Sequence, residues 1–337
     1  MDPLRIGFSY NLSDNAIDLG DSGAEDAAVE YESQATVDAI AAVLSTIGEV
    51  IHLPCDRALI EKMFAKPVDL VFNIAEGWGT RNREGFVPTV CDMLEVEHTG
   101  SDALAMSLSL DKWFTKIIVE RAGIPIPSGL LLNRPLEAKP DDLAHLKYPV
   151  IVKPNAEGTS KGVRNFSKMS CPNEAISVIE WVWQTYRCHV LIEEFVEGRE
   201  IAVAVLDRDG DIIVLPIAEI LFFPEEGRSP FYSYECKEFA EEKVVCPTGN
   251  LDPNLEKRLG KMSLAAFEAL GCRDLARIDW RIDSTGEPYF LEINPLPGLG
   301  PELSLFPIQA ATEGIPYSAL IRTILDSALR RLQIEPQ

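Results

Sequence analysis

Apolar residues early in the chain fall into blocks that suit strands and blocks that suit helices. Leu4-Arg5-Ile6-Gly7-Phe8-Ser9 reads as a buried strand. After an acidic loop over residues 14–31, apolar positions 37, 40, 41, 44 and 47 recur at helical spacing. Residues 50–53 read as a strand, 57–64 as a helix and 68–74 as a further strand. This β-α-β alternation predicts a small parallel sheet with helices on both faces. Such sheets bind ligands at the carboxyl ends of their strands. The loop Ala75-Glu76-Gly77-Trp78-Gly79-Thr80-Arg81-Asn82-Arg83-Glu84-Gly85 is therefore a candidate substrate loop.

Farther on, residues 101–122 read as two helices broken near Asp111-Lys112 and stopped by Pro125 and Pro127. A buried strand over 149–154 runs into a loop of small residues, 155–163, and a helix over 173–186 leads to the run 190–198. The strand 200–206 and the apolar run 212–223 suggest an antiparallel sheet. Residues 224–250 are polar and turn-rich, which predicts a long mobile segment over a site. A helix over 253–270, a pair of strands about the turn Asp283-Ser284-Thr285-Gly286, and a closing helix over 317–332 complete the pattern. There are no internal repeats and no low-complexity regions.

The late strand pair carries the sharpest chemical signal. Its hairpin returns Asp279 beside Glu292 and Asn294, and strand alternation points Glu292 and Asn294 to one face. Three hard oxygen donors with Arg277 alongside suit Mg²⁺ bridging a polyphosphate. Arg277 reads either as a surface partner of Asp279 or as a fixed guanidinium that stabilises developing negative charge. Lys153, ending an apolar strand, is either a snorkelling surface lysine or a phosphate cation. In the second case the backbone N–H groups from Gly158 to Gly162 would cradle anionic oxygens. The Gly-x-x-x-x-Gly-Lys-Ser/Thr phosphate loop is absent. Glu193-Glu194-Phe195-Val196 reads as a solvated edge strand or as a nucleotide linker. As a linker it offers backbone groups to an adenine edge, apolar packing from Phe195 and Val196, and Glu200 for ribose hydroxyls.

Composition narrows the partners. The 337 residues predict two or three packed subdomains. A net charge of −22 disfavours nucleic acid and anionic membrane surfaces, so an anionic ligand needs a local cluster of cations. No apolar run is long enough to span a bilayer, and the N-terminus lacks a signal-peptide pattern. Seven scattered cysteines with no CxxC pair argue against a disulfide framework or a zinc site and favour a reducing cytoplasm. The four dispersed histidines read as structural.

The order Lys112, Lys153-Pro154, Glu157-Gly158-Thr159-Ser160-Lys161-Gly162, Glu193-Glu194-Phe195-Val196, Lys237, Arg277-Ile278-Asp279 and Glu292-Ile293-Asn294-Pro295 resembles the ATP-grasp superfamily. Within it the chain is most similar to D-alanine–D-alanine ligases, through Thr99-Gly100-Ser101, Asp111-Lys112, Gly271-Cys272 and Leu296-Pro297-Gly298. The likeness runs from about residue 69 to the end, while the first 68 residues match only in strand–helix order.

The resemblance implies an α/β (α+β) ATP-grasp fold with ATP clamped between two antiparallel sheets. Its parts would be an N-terminal α/β subdomain (1–100), a central one (101–192) and a C-terminal one (193–337). It implies two Mg²⁺ ions, with Mn²⁺ as an alternative, and an acyl phosphate that an amine attacks to form an amide. Carried over by position, Asp279, Glu292 and Asn294 would hold metal. Lys112, Lys153 and Lys237 would contact phosphates, and Glu193, Val196 and Glu200 the nucleoside. Arg277 and the Gly298 N–H would bind the oxyanion, and the Thr159-Ser160 loop would close over phosphate and substrate. A dimer is the family's usual assembly, and the partners implied are a small carboxylate and a small amine.

The substrate positions depart from that pattern. The ligases carry a His-Gly…Gly-Glu-Asp-Gly loop where this chain has residues 76–85, two residues longer, with Glu76 in place of histidine and with Arg81 and Arg83. Glu238 stands where the ligases have a tyrosine after the lysine that Lys237 matches. Glu32 stands in the position of the glutamate that holds the substrate ammonium, without the motif around it. The stretch after Gly298 is one residue longer and brings Ser304 to the acceptor end. These departures predict an ATP-dependent carboxylate–amine ligase whose substrates are not two D-alanines. Arg81 and Arg83 suggest an extra anionic group on the substrate. A D-alanine–D-alanine ligase with diverged loops and a nucleotide-binding sensor without turnover stay as alternatives, and ADP release separates them.

Overall fold

A computed structural model describes residues 3–13, 24–26, 29–133, 135–223, 231, 233–238 and 242–332. The first layer is the expected parallel sheet. Strands β1 (Arg5–Tyr10), β2 (Glu49–Pro54), β3 (Leu70–Ile74) and β4 (Glu97–His98) stand in the order β2-β1-β3-β4. Helices α1 (Gln34–Leu44), α2 (Leu59–Ala65) and α3 (Phe86–Met93) connect them. Ser33 fixes the start of α1 by accepting a hydrogen bond from the Thr36 N–H at 3.2 Å. The loop 75–85 leaves the carboxyl end of β3, as expected, and its last residues close as a 3₁₀ turn, Arg83–Gly85.

Helices α4 (Ala103–Leu110) and α5 (Lys112–Arg121) meet at Asp111, which ends the first and caps the second. Its carboxylate accepts from the Phe114 N–H at 3.2 Å, so the break read from the sequence is a shared cap. The second sheet holds β5 (Gly129–Leu132), β6 (Val150–Pro154), β7 (Lys168–Met169) and β8 (Val190–Glu194), ordered β5-β8-β6-β7 and antiparallel. A short α6 (Pro140–Leu143) and the longer α7 (Pro172–Tyr186) cover it. Strand β8 crosses the subdomain boundary drawn at residue 192, because Glu193 and Glu194 still pair with β5 and β6.

The third sheet gathers β9 (Gly198–Arg208), β10 (Asp211–Val214), β11 (Ala218–Phe222), β12 (Glu242–Val245), β13 (Leu275–Asp283) and β14 (Pro288–Asn294). Its order is β12-β11-β9-β13-β14, with β10 also on β9. The apolar run 212–223 divides at Leu215-Pro216-Ile217, so that two short strands pair with different parts of β9. Proline lacks the N–H that an unbroken central strand would need. Helices α8 (Tyr234–Glu238), α9 (Pro253–Ala269), α10 (Leu305–Thr312) and α11 (Tyr317–Leu332) complete the chain. Much of the expected covering segment 224–250 lies outside the described residues, as do the side chains of Lys237 and Glu238.

The core of the first layer is completed from the far end of the chain. Ile6, Phe8, Leu70 and Phe72 pack with Leu320, Ile321, Ile324 and Leu325 of α11. Asp274, at the start of β13, accepts from the Gly100 N–H at 2.7 Å and from the Ser327 hydroxyl at 2.8 Å, and it pairs with Arg331. No helix among the described residues is long and apolar enough to cross a membrane, and the seven cysteines are free thiols.

Candidate active site

A cleft opens between the second and third sheets, and the β13–β14 hairpin forms one wall of it. Asp279 lies opposite Glu292 and Arg277 opposite Asn294, so one face presents all four. The other face buries Ile278, Trp280 and Ile293 in the core, where the Trp280 indole N–H donates to Ser263 at 3.1 Å. A register shift after Asp279 bulges the hairpin beside the carboxylates. Bulges next to functional sites re-aim side chains without breaking the sheet.

Each hairpin acid faces a cation. Arg277 grips Asp279 with Nε at 2.9 Å and Nη2 at 2.8 Å, and Lys112 Nζ lies 3.2 Å from Glu292. Burial alone would raise the Glu292 carboxyl, but Lys112, Lys153 and Arg277 hold it down at about 2. The Asn294 side-chain oxygen accepts from the Leu296 N–H at 2.9 Å. Lys112 is placed by Asn155, whose backbone oxygen accepts from the Lys112 N–H at 3.1 Å and whose side chain accepts from Trp113.

Below this wall sits a second set of charges. The Lys153 ammonium lies 2.6 Å from Glu193, and Lys116 binds the other oxygen of the same carboxylate. Burial opposes ionisation of Glu193, yet the two lysines keep its pKa below the ordinary value. Burial also lowers Lys116, to about 8, against the pull of Glu193. Lys116 was not singled out from the sequence, although its i,i+4 spacing from Lys112 on α5 places both on one helix face. Glu193, expected at the nucleoside, lines the cleft and has its carboxylate between two lysines. The rest of the linker is also engaged: Phe195 lies against Phe231 at 5.6 Å between ring centres, with Lys168 and Arg281 over its ring. Glu194 accepts from the Lys147 N–H at 3.1 Å, and Glu200 pairs with Arg281 at 3.2 Å. Alternation from Arg277 and Asp279 puts Arg281 on the same face, a signal that the sequence did hold. Val196 lines the cleft beside them.

The loop expected to cradle phosphate has the N–H groups of both its glycines filled from within the chain. The Gly158 N–H donates to Glu30 at 2.6 Å and the Gly162 N–H to Asp26 at 2.9 Å. Thr159 and Ser160 both adopt left-handed backbone, φ +50° and +61°, which is unfavourable for a β-branched threonine. Lys161 reaches Glu157 at 3.2 Å and Glu30 at 3.6 Å. Asp26 and Glu30 gave no local signal, since the loop N–H groups they accept from lie more than a hundred residues away.

Both arginines of the substrate loop are paired with acids. Arg83 is buried and binds Glu30 at 2.6 Å, Glu157 at 3.1 Å and the Ala156 carbonyl at 2.9 Å. Arg81 pairs with the capping Asp111 at 3.1 Å. Both arginines thus have an acidic partner within the protein, Arg83 in the interior and Arg81 at an exposed position. Glu32 has its carboxyl raised by burial. Ser304 accepts from the Gly300 N–H at 3.0 Å and so closes the turn that follows Gly298. A Cβ on Gly300 would lie 3.2 Å from the Thr36 hydroxyl, so this turn meets the start of α1.

Comparison with known proteins agrees with this geometry. The family model for the D-ala D-ala ligase C-terminus matches residues 118–326. An uncharacterized protein of Sinorhizobium fredii is 34% identical over 305 residues, 87% of each chain. The D-alanine–D-alanine ligase of Aquifex aeolicus is 34% identical over 301 residues, 86% of this chain and 93% of the relative. The crystal structure of the Bacillus anthracis D-alanine–D-alanine ligase complexed with ATP superposes with a TM-score of 0.75 at 26% identity, covering 99% of both chains. In sequence over most of its length, and in fold over nearly all of it, the chain belongs to the D-alanine–D-alanine ligase family, ATP-dependent ADP-forming ligases of the ATP-grasp superfamily.

Proposed function

We propose that this ligase joins a carboxylate to an amine through an acyl phosphate, and that its substrates are not two D-alanines. The reading rests above all on the single face that carries Arg277, Asp279, Glu292 and Asn294 beside Lys112. Hard oxygen donors on neighbouring strands, with cations close by, fit Mg²⁺ on a polyphosphate. When bound, Mg–ATP supplies the phosphoryl group and neutralises the charge that builds up during its transfer.

The chain's own residues do the rest. Asp279, Glu292 and Asn294 would hold the metal, one ion or two, and Lys112, Lys153 and Lys237 the phosphate oxygens. Phe195, Val196 and Glu200 would hold the nucleoside. Arg277 and the Gly298 N–H would stabilise the oxyanion formed when the amine attacks. The loop with Thr159 and Ser160 would close and exclude water from a hydrolysable intermediate. Subdomains 1–100, 101–192 and 193–337 would move as the clamp, in a reducing cytoplasm, on small molecules alone.

Departure from D-alanine is supported by the loop of residues 75–85, where Glu76 stands in the position of the family's histidine. A second reading, D-alanine–D-alanine ligase itself, is favoured by the Aquifex relative. Identity alone does not choose between them, because the uncharacterized Sinorhizobium protein is equally similar. An ADP-release screen over pairs of amino acids and small acids, with D-alanine included, is the test. Turnover with D-alanine alone above every other pair would overturn the first reading.

A further inference from the structure

The nucleoside end of the cleft is braced by a residue with no part in the chemistry described so far. Arg281 on β13 stands opposite Glu200 on β9, and both are buried, at 5% and 7% exposure. The guanidinium grips β9 with two nitrogens: Nη1 donates to Glu200 Oε2 at 3.2 Å and Nη2 to the Gly198 carbonyl at 2.9 Å. The two strands approach closely there, since a Cβ on Gly198 would clash with the Ile282 carbonyl. The guanidinium carbon also lies 4.7 Å from the centre of the Phe195 ring, within range of cation–π attraction. Its Nε is buried and has no hydrogen-bond partner among the described residues. Folded proteins rarely leave a buried donor unmade, so the guanidinium is placed for its two partners at the expense of its own satisfaction. Phe195, Glu200 and Arg281 line the same cleft as Asp279 and Glu292. One side chain thus holds a ring and a carboxylate at once.

We propose that Arg281 is a positioning residue for the nucleotide: by fixing Glu200 and Phe195 together, it makes the cleft choose a ribonucleotide over a deoxy counterpart. A carboxylate offers about four lone-pair positions. The bond from Arg281 therefore holds Glu200 still and leaves it able to accept from a ribose hydroxyl. The planar fork matters as well as the charge, because a lysine is a point charge and cannot span a carboxylate and a carbonyl in one fixed geometry. Phe195, packed by Arg281, Lys168 and Phe231, offers the base a ring whose place is already set. The inference rests on the nucleotide reading of this cleft and adds to it a residue that acts through Glu200, away from the reacting atoms.

The test is calorimetric titration of the full chain with ATP, 2′-deoxy-ATP and 3′-deoxy-ATP in the presence of Mg²⁺. The wild type should bind ATP at least about tenfold more tightly than one of the two deoxy nucleotides. Arg281→Lys should cut that ratio by about threefold or more, while the deoxy nucleotide itself binds within about twofold of its wild-type affinity. Glu200→Gln should lower the ratio in the same way. Arg281→Met leaves Glu200 buried without its arginine and can unfold the chain. The double variant Arg281→Met/Glu200→Gln removes both charges, and its ratio should fall no lower than that of Glu200→Gln alone. A brace that serves stability only would weaken all three nucleotides alike; that result overturns the inference, and so does an unchanged ratio in Arg281→Lys and in the double variant. Equal wild-type binding of all three nucleotides overturns it too, yet leaves the ATP cleft standing. No ATP binding up to about 10 mM rejects the nucleotide reading, and the inference with it.

Discussion

The two ends of the cleft treat the same functional group in opposite ways. At the nucleotide end three carboxylates meet cations: Glu292 with Lys112, Asp279 with Arg277, Glu193 with two lysines. At the loop end Glu76 and Glu84 have no ion pair among the described residues, and Arg83 and Lys112 act on Glu84 only from farther off. Burial acts on both ends alike, yet Glu292 is held near 2 while Glu84 rises to about 7. Partners decide the direction, and burial only sets the stakes. One end is balanced in readiness for a polyanion and its metal. The other holds two acids that burial and neighbouring carboxylates push toward the protonated form.

That contrast predicts substitutions of opposite sign. The largest effect belongs to the hairpin: Asp279→Asn or Glu292→Gln should lower ADP release by about a thousandfold while the thermal midpoint moves by about 2 °C or less. Ordinary turnover in Glu292→Gln would break the metal assignment. Next, Lys116→Met should cost about 3 kcal/mol in urea unfolding, since Glu193 keeps a single partner in a buried place. An unchanged midpoint would mean that Lys153 alone balances it. Gly77→Ala should cost about 2 to 3 kcal/mol, because its φ is +69° and the new Cβ would fall 2.3 Å from the Arg83 carbonyl oxygen. Fluorescence-monitored unfolding reads this, and a neutral result would show that the loop at Glu76 is loosely held.

The smallest expected effect is the most discriminating. Glu84 has a folded pKa raised to about 7 from an ordinary value of 4.5, so its ionisation opposes folding. Wild-type stability should therefore be lost as pH rises from about 4.5 through 7. Glu84→Gln should match the wild type near pH 5 and exceed it by about 2 kcal/mol at pH 8. A variant less stable than the wild type at pH 8 would mean that Glu84 has a cation and that the contrast between the two ends is false.

Features fixed by local chemistry were legible in the sequence. Alternation and the Asp283-Ser284-Thr285-Gly286 turn put Asp279 opposite Glu292, and the Asp111 cap separated two helices. The parallel first layer followed from its hydrophobic spacing. What stayed hidden was pairing across distance. The sequence shows Arg81 and Arg83 but not that Asp111, Glu30 and Glu157 have claimed them. It shows small residues from Gly158 to Gly162 but not the acids on their N–H groups. Helix α3 and helix α10 were also missed: each is short, and α10 is apolar almost all round, so it shows no clear stripe.

Helix α11 carries a consequence for how the protein is made. The apolar face of the first sheet, which begins at residue 5, is sealed by residues 320–328, and Asp274 and Arg331 tie the two regions together. A nascent chain therefore holds a finished parallel sheet with one greasy side open to the cell until its last helix emerges from the ribosome. Domains that fold early during synthesis usually do so from their own residues. Here the earliest strands wait for the latest helix, and the interval between them is when the chain is most exposed to aggregation and most dependent on chaperones.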